Sequence, residues 1–127
     1  IRGLDNQIRR DKGFSLDRYL QLMDMFDEAF AVMQDREWER ALAGFRKVVA
    51  ADPENTQSHG NMGLCYALLG RKREALASLD RALEIDPSYE PAKTNRIGVL
   101  AMQEGERLAA DFVSVDYYKD RHNEKRG

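Results

Sequence analysis

The stretch GNMGLCYALLGRKREAL, from Gly60 to Leu76, holds the residue types with the most chemical reach in the chain: three glycines, the only cysteine and a basic pair. Glycines followed by lysine can cradle a phosphate. That loop needs glycine, four residues, then Gly-Lys-Ser/Thr on a strand-to-helix turn. Here six residues separate Gly63 from Gly70, the next pair is Arg71-Lys72, and no Ser or Thr follows. The residues between read as helix, so nucleotide binding is not expected. A reactive thiol needs a cation or base beside it. Cys65 has neither a second cysteine nor an adjacent histidine, and reads as a small apolar packing residue. His59 and His122 stand apart without the spacing of a metal set. No pair of carboxylates is set off from the ordinary charged helix faces. The expectation is a chain with no catalytic residue, no metal and no cofactor, and hence not an enzyme.

Composition narrows the setting. A chain of 127 residues suits one domain, and 20 basic against 22 acidic residues leave a net charge of -2. The ends are mildly basic, through Arg2, Arg9, Arg10 and Lys12 at one and the tail from Asp116 at the other. Neither makes the clustered basic face that nucleic acid requires. A lone cysteine fits a reducing compartment, and a cytoplasmic location is expected. No apolar run approaches the roughly 18 residues of a membrane span, and no signal-peptide pattern opens the chain. The first residue is Ile1 rather than Met, which raises the expectation of a piece of a larger protein.

The elements that position these residues come from an internal repeat. Asp52-Pro53 and Asp86-Pro87 lie 34 residues apart, as do Ala41 and Ala75, Phe45 and Leu79, and Ala29 and Gly63. A weaker third copy follows at a step of 35, where Ile97, Gly98 and Gly105 match Met62, Gly63 and Gly70. Each unit reads as two helices. In the second unit these cover about 56–69 and 72–85, with Asn55 or Thr56 as N-cap, Gly70 as the stop between them and Pro87 closing the unit. In the first unit they run from Ser15 to Gln34 and over about 37–51. No glycine ends its first helix, so Asp35 or Arg36 must close that turn at some cost in strain.

The pattern resembles the tetratricopeptide repeat family, in its bacterial type. Unit two carries His59, Met62-Gly63, Tyr66, Ala75, Leu79, Ala82 and Pro87 at the family's spacing. Unit one carries Met25, Ala29, Val32, Ala41, Phe45, Val48 and Pro53, with Glu28 where leucine is usual. Unit three keeps Ile97, Gly98 and Ala110 and loses the closing proline. The resemblance implies an all-α, right-handed superhelical stack of antiparallel helix pairs, with two clear repeats and a degenerate third as C-terminal cap. The expected layout is a basic segment over 1–14, a repeat domain over 15–121 with units of about 22–55, 56–90 and 91–121, and a polar tail over 122–127. The charged face of the cap, Glu104, Glu106, Arg107 and Asp111, is expected to meet water.

In such a stack the first helices line a concave groove. The helical period places Phe26, Phe30, Asn61, Leu64, Leu68, Arg96, Val99 and Met102 on that stripe, beside Met23, Asp27 and Gly60. The expectation is an exposed apolar groove, with Asn61 and Arg96 as polar handles, that binds an apolar or amphipathic peptide of a partner protein. A charge at Phe30 or Leu64 is then expected to abolish binding and leave helicity intact. Some relatives clamp a peptide's terminal carboxylate, but Phe26 and Phe30 stand where that clamp needs Lys or Asn. The alternative is a structural or oligomerisation module whose groove is filled by its own termini, a second copy such as a homodimer partner, or another domain. No nucleic-acid or membrane partner is expected.

Overall fold

A computed structural model describes residues 15–108; the expectations for 1–14 and 109–127, including Ala110, Asp111 and His122, fall outside the described residues. Five helices follow one another: α1 Leu16–Gln34, α2 Trp38–Ala51, α3 Thr56–Leu68, α4 Lys72–Ile85 and α5 Glu90–Ala101. Each packs on the next, and α3 also touches α5. The described chain is therefore all-α and arranged in sequential pairs.

Local chemistry sets the ends. The Ser15 hydroxyl accepts from the Arg18 amide at 3.2 Å, and the Asn55 side chain accepts from the Ser58 amide at 2.9 Å, so both first helices begin on side-chain caps. The turn after α3 closes with two backbone bonds, Arg71 N–H to the Tyr66 carbonyl at 2.8 Å and Gly70 N–H to the Ala67 carbonyl at 3.1 Å. Gly70 adopts φ +82, the left-handed conformation this closure demands. The turn after α1 repeats both bonds from Glu37 and Arg36, at 3.3 and 2.9 Å. There Arg36 is forced to φ 63, the strain expected where no glycine was available.

This pairing gives a test with opposite signs. Arg36→Gly relieves about 1–2 kcal/mol of left-handed strain and adds about 0.5–1 kcal/mol of unfolded-state entropy, so a net gain of about 0.5–1 kcal/mol is expected. Gly70→Ala adds the same strain and places a methyl 2.9 Å from the Gly105 carbonyl oxygen, so a loss of about 2 kcal/mol is expected. Urea midpoints should move in opposite directions; a shared sign would show that turn conformation does not govern these positions.

Packing between helices uses small residues at the close approaches. A Cβ on Gly63 would sit 2.7 Å from Leu79 Cγ, and one on Gly44 would sit 2.7 Å from Ala29 Cβ. Gly44 escaped the sequence reading, which sought small residues only at repeat-matched positions. Within unit one Phe45 is fully buried and meets Phe26 edge-on at 5.3 Å between ring centroids. The Arg46 guanidinium on α2 donates to the Tyr66 hydroxyl on α3 at 2.7 Å.

The third unit is described only through Leu108. Helix α5 ends at Ala101, and residues 103–108 form a turn and irregular chain. Gly105 N–H donates to the Gly70 carbonyl at 3.1 Å, and Leu108 N–H to the Ala67 carbonyl at 3.0 Å. The chain after Gly105 is thus drawn back to the end of α3. Glu104, Glu106 and Arg107 are exposed, as expected of an outer face.

Candidate functional site

The basic pair that could have held a phosphate is committed to structure. Arg71 is the residue before α4, and its guanidinium reaches Glu39 on α2 at 3.1 Å. The Lys72 ammonium donates to the carbonyls of Leu100 and Met102 at the end of α5. A cation there satisfies carbonyls that have no helical partner and complements the negative end of the helix dipole. Adjacent residues therefore tie unit two to its neighbours on both sides. His59 Nε2 lies 2.8 Å from the Pro53 carbonyl, at the junction of units one and two. Among the described residues no group of three or more His, Cys, Asp or Glu could hold a metal.

Cys65 is fully buried in α3, and burial pushes its thiol up to about 12 from 9.0. A shift of that size leaves roughly a thousandth of the ordinary thiolate near neutral pH. Native protein at pH 8 should therefore resist a thiol-specific reagent by at least about a thousandfold relative to the chain in denaturant. Comparable rates in the two states would place Cys65 in the open.

The expected groove takes shape from matched positions on the three first helices. Asp27, Asn61 and Arg96 form one row at the repeat step, and Phe30, Leu64 and Val99 form another. The structure separates the two rows. Phe30, Leu64 and Val99 are buried, at 6%, 2% and 0% exposure. Leu68 and Met102 are buried as well, and Phe26 is half-buried, stacked on Phe30 at 6.3 Å. The expectation of an exposed apolar groove is thus corrected for five of the eight residues: Phe30, Leu64, Leu68, Val99 and Met102 are packing residues. Gly60 is not bare groove wall either, because Tyr89 Cε2 lies 2.9 Å from where its Cβ would stand.

The reason is that α3 is covered all round. Every residue from Met62 to Leu68 is buried, with α2, α4 and α5 against the helix. The sequence carried the signal: MGLCYALL has no polar face, and a helix apolar on every side is a buried helix. Leu108 completes the cover, packing with Trp38 on Leu64 and Leu68.

What remains accessible on the stripe is polar, with an apolar end on α1. Asp27 is exposed, and Leu20 and Met23 are 48% and 44% exposed. Asn61 is half-buried, and its Nδ2 is itself buried with no hydrogen-bond partner. Arg96 is half-open and donates from Nε to Asp80 at 2.7 Å, an exposed pair worth little in stability. Leu20 and Met23, which the sequence reading did not put among the contacts, are therefore the open apolar residues of the stripe. A second open apolar pair, Ile97 and Leu100, lies on α5.

Comparison with known proteins names the middle of this array. The family pattern of the tetratricopeptide repeat matches residues 56–89. Residues 56–89 are a tetratricopeptide repeat. The match takes in α3, the Gly70 turn, α4 and the Pro87 exit, and the helix pair before it and α5 after it pack on it in sequence, consistent with an array of such repeats. A 52-residue stretch of the chain is 38% identical to the probable UDP-N-acetylglucosamine–peptide N-acetylglucosaminyltransferase SPINDLY of Solanum lycopersicum. That stretch is 41% of this chain and 6% of that protein, so the likeness spans a small part of the relative. No solved structure matches the chain. Tetratricopeptide repeats serve generally as protein–protein interaction modules. No helix among the described residues is long and apolar enough to cross a membrane.

Proposed function

We propose that this chain is a non-catalytic protein-interaction module that binds an amphipathic peptide segment of a partner along its first-helix stripe. The observation that carries the reading is the open apolar end of that stripe, Leu20 and Met23, on the same helix as exposed Asp27. An exposed apolar patch rimmed by polar groups is the usual mark of a binding surface. Leu20, Met23 and half-buried Phe26 take the ligand's apolar side chains. Half-open Arg96 offers the guanidinium faces that its bond to Asp80 leaves free. The buried row of Phe30, Leu64 and Val99 sets the spacing of the first helices and so the shape of the surface, without touching the ligand. A right-handed superhelical path for the array belongs to the same reading.

The experiment is affinity capture from a cognate lysate by the full chain and its Met23→Asp variant, compared by quantitative mass spectrometry. Met23 is exposed, so the variant should keep wild-type helicity. Proteins bound by the stripe should fall at least about tenfold, since losing one apolar anchor and burying a charge costs well over 1.4 kcal/mol. Unchanged capture would remove the stripe as the binding surface. The structural alternative, a stripe covered by the chain's own terminus, draws support from one observation: Leu108 already lies on Leu64 and Leu68.

A further inference from the structure

Helices α1 and α2 hold an open groove of about 340 Å³ between them. Its floor is apolar, from Met25, Ala29 and Val32 on α1 and Ala43 and Gly44 on α2. Its rim is charged, with Glu28 on the α1 side and Arg40 and Lys47 on the α2 side. Met25 is two residues from Met23, about 200° round the helix. The groove therefore lies on the far side of α1 from the first-helix stripe.

Unit two shows what the matching face does. Met62 and Tyr66 stand one repeat step of 34 from Glu28 and Val32. Both are buried, and the Tyr66 hydroxyl accepts from Arg46 of the preceding unit. In unit one the same face is open: Glu28 is exposed, and Met25 and Val32 are half-buried. Among the described residues neither Glu28 nor Lys47 has an ion-pair partner, while Arg40 holds Glu37 at 2.7 Å through one nitrogen.

The arrangement of these charges selects what fits. Helices α1 and α2 are joined through residues 35–37 and run antiparallel, as a pair with so short a link does. Gly44 sets their register, since a Cβ there would stand 2.7 Å from Ala29 Cβ. Glu28 is thus nearly level with Gly44, and Arg40 and Lys47 lie about one turn to either side of it. Two copies can meet groove to groove about a two-fold axis in two ways. An axis across the helices lays α1 on α1 and like charge on like. An axis along the helices lays α1 of each copy over α2 of the other. Each Glu28 then stands above the partner's Gly44, flanked by the partner's Arg40 and the partner's Lys47. The small side chains on the floor let the helices approach, while Met25 and Val32 supply apolar contact.

We propose that this groove is a self-association face, through which two copies of the chain pair about a two-fold axis parallel to α1 and α2. The apolar floor gives the affinity, and the rim charges fix the register and exclude other arrangements.

The test is sedimentation equilibrium of the full chain at low salt. The wild-type protein should pass from monomer to dimer between micromolar and millimolar concentration, with no larger species, because an isologous contact closes on itself. Glu28→Lys and Lys47→Glu should each weaken the dimer at least about tenfold, since like charges then meet across the axis. An equal mixture of the two variants should dimerise as the wild type does, because each reversed charge then meets its opposite. Both positions are exposed, so far-UV helicity should be unchanged. A wild-type chain that stays monomeric, larger assemblies, reversals without effect, or a mixture that stays monomeric would each overturn the proposal. Met23→Asp, on the far face, should leave the dimer intact; its loss there would move the contact to the stripe and overturn the proposal as well.

Discussion

Leu64→Asp should unfold the chain, and Met23→Asp should not. Leu64 is 2% exposed and touches Leu68, Trp38 and Leu108, while Met23 is 44% exposed. Removing a buried leucine costs about 2–5 kcal/mol. A carboxylate in the same place adds several kcal/mol more, either as desolvated charge or as the work of holding the acid neutral. The sum is comparable with the whole stability of a small domain, about 5–15 kcal/mol. The far-UV helical signal of Leu64→Asp should therefore fall steeply at 25 °C, or its urea transition should begin near zero denaturant. Met23→Asp should stay within about 0.5 kcal/mol of wild type, as exposed substitutions generally do. Phe30→Asp should behave like Leu64→Asp, because Phe30 is 6% exposed. The expectation that a charge at Phe30 or Leu64 would remove binding alone is thereby reversed: lost binding there reports lost folding. A helical, stable Leu64→Asp protein would mean that this stripe is open in solution.

Phe45→Ala should destabilise the protein by about 3–5 kcal/mol, the range for a buried phenylalanine truncated to alanine. Phe45 has no exposed surface, and its ring meets Phe26 of the same unit edge-on. It shares its cluster with Met62 and Tyr66 of the next unit. The cavity would therefore open between repeats. Helices α1, α2 and α3 are joined there through neighbour contacts, and in a repeat array such contacts supply much of the cooperativity. A thermal midpoint lower by about 15–30 °C follows for a domain of this size. Amide exchange should rise most on α1 and α2, which lose their hold on α3, and least on α4. A loss below about 1 kcal/mol would mean that the site collapses without cost, and that Phe45 does not join the units.

The repeat and nearly all helix boundaries were legible because they are local matters. Asp-Pro exits, the Gly70 stop and the Asn55 and Ser15 caps act within a few residues of where they stand. Even the strain at Arg36 could be read, since a turn of fixed length needs a left-handed residue whether or not glycine is supplied.

The stripe of first-helix residues was half legible. The 3.6-residue period fixes which side chains share a face, and the repeat step matches Phe30 with Leu64 and Val99, and Asn61 with Arg96. Whether such a face is open depends on the distance and angle between neighbouring helices, which no period records. The tertiary structure closed it around α3, where α2, α4, α5 and Leu108 converge, and left it open at the far end of α1. It also gave the stretch from Gly60 to Leu76 its roles. Gly60 makes room for Tyr89, Gly63 for Leu79, Cys65 fills the core, and Arg71 and Lys72 tie down the neighbours. The sequence by itself determined the helices and their repeat, because those follow from bonds and side chains near in the chain. Only the tertiary structure decided which faces are interior and which meet solvent, because burial is set by residues distant in the chain, as Phe45 is from Phe26 and Leu79 from Gly63.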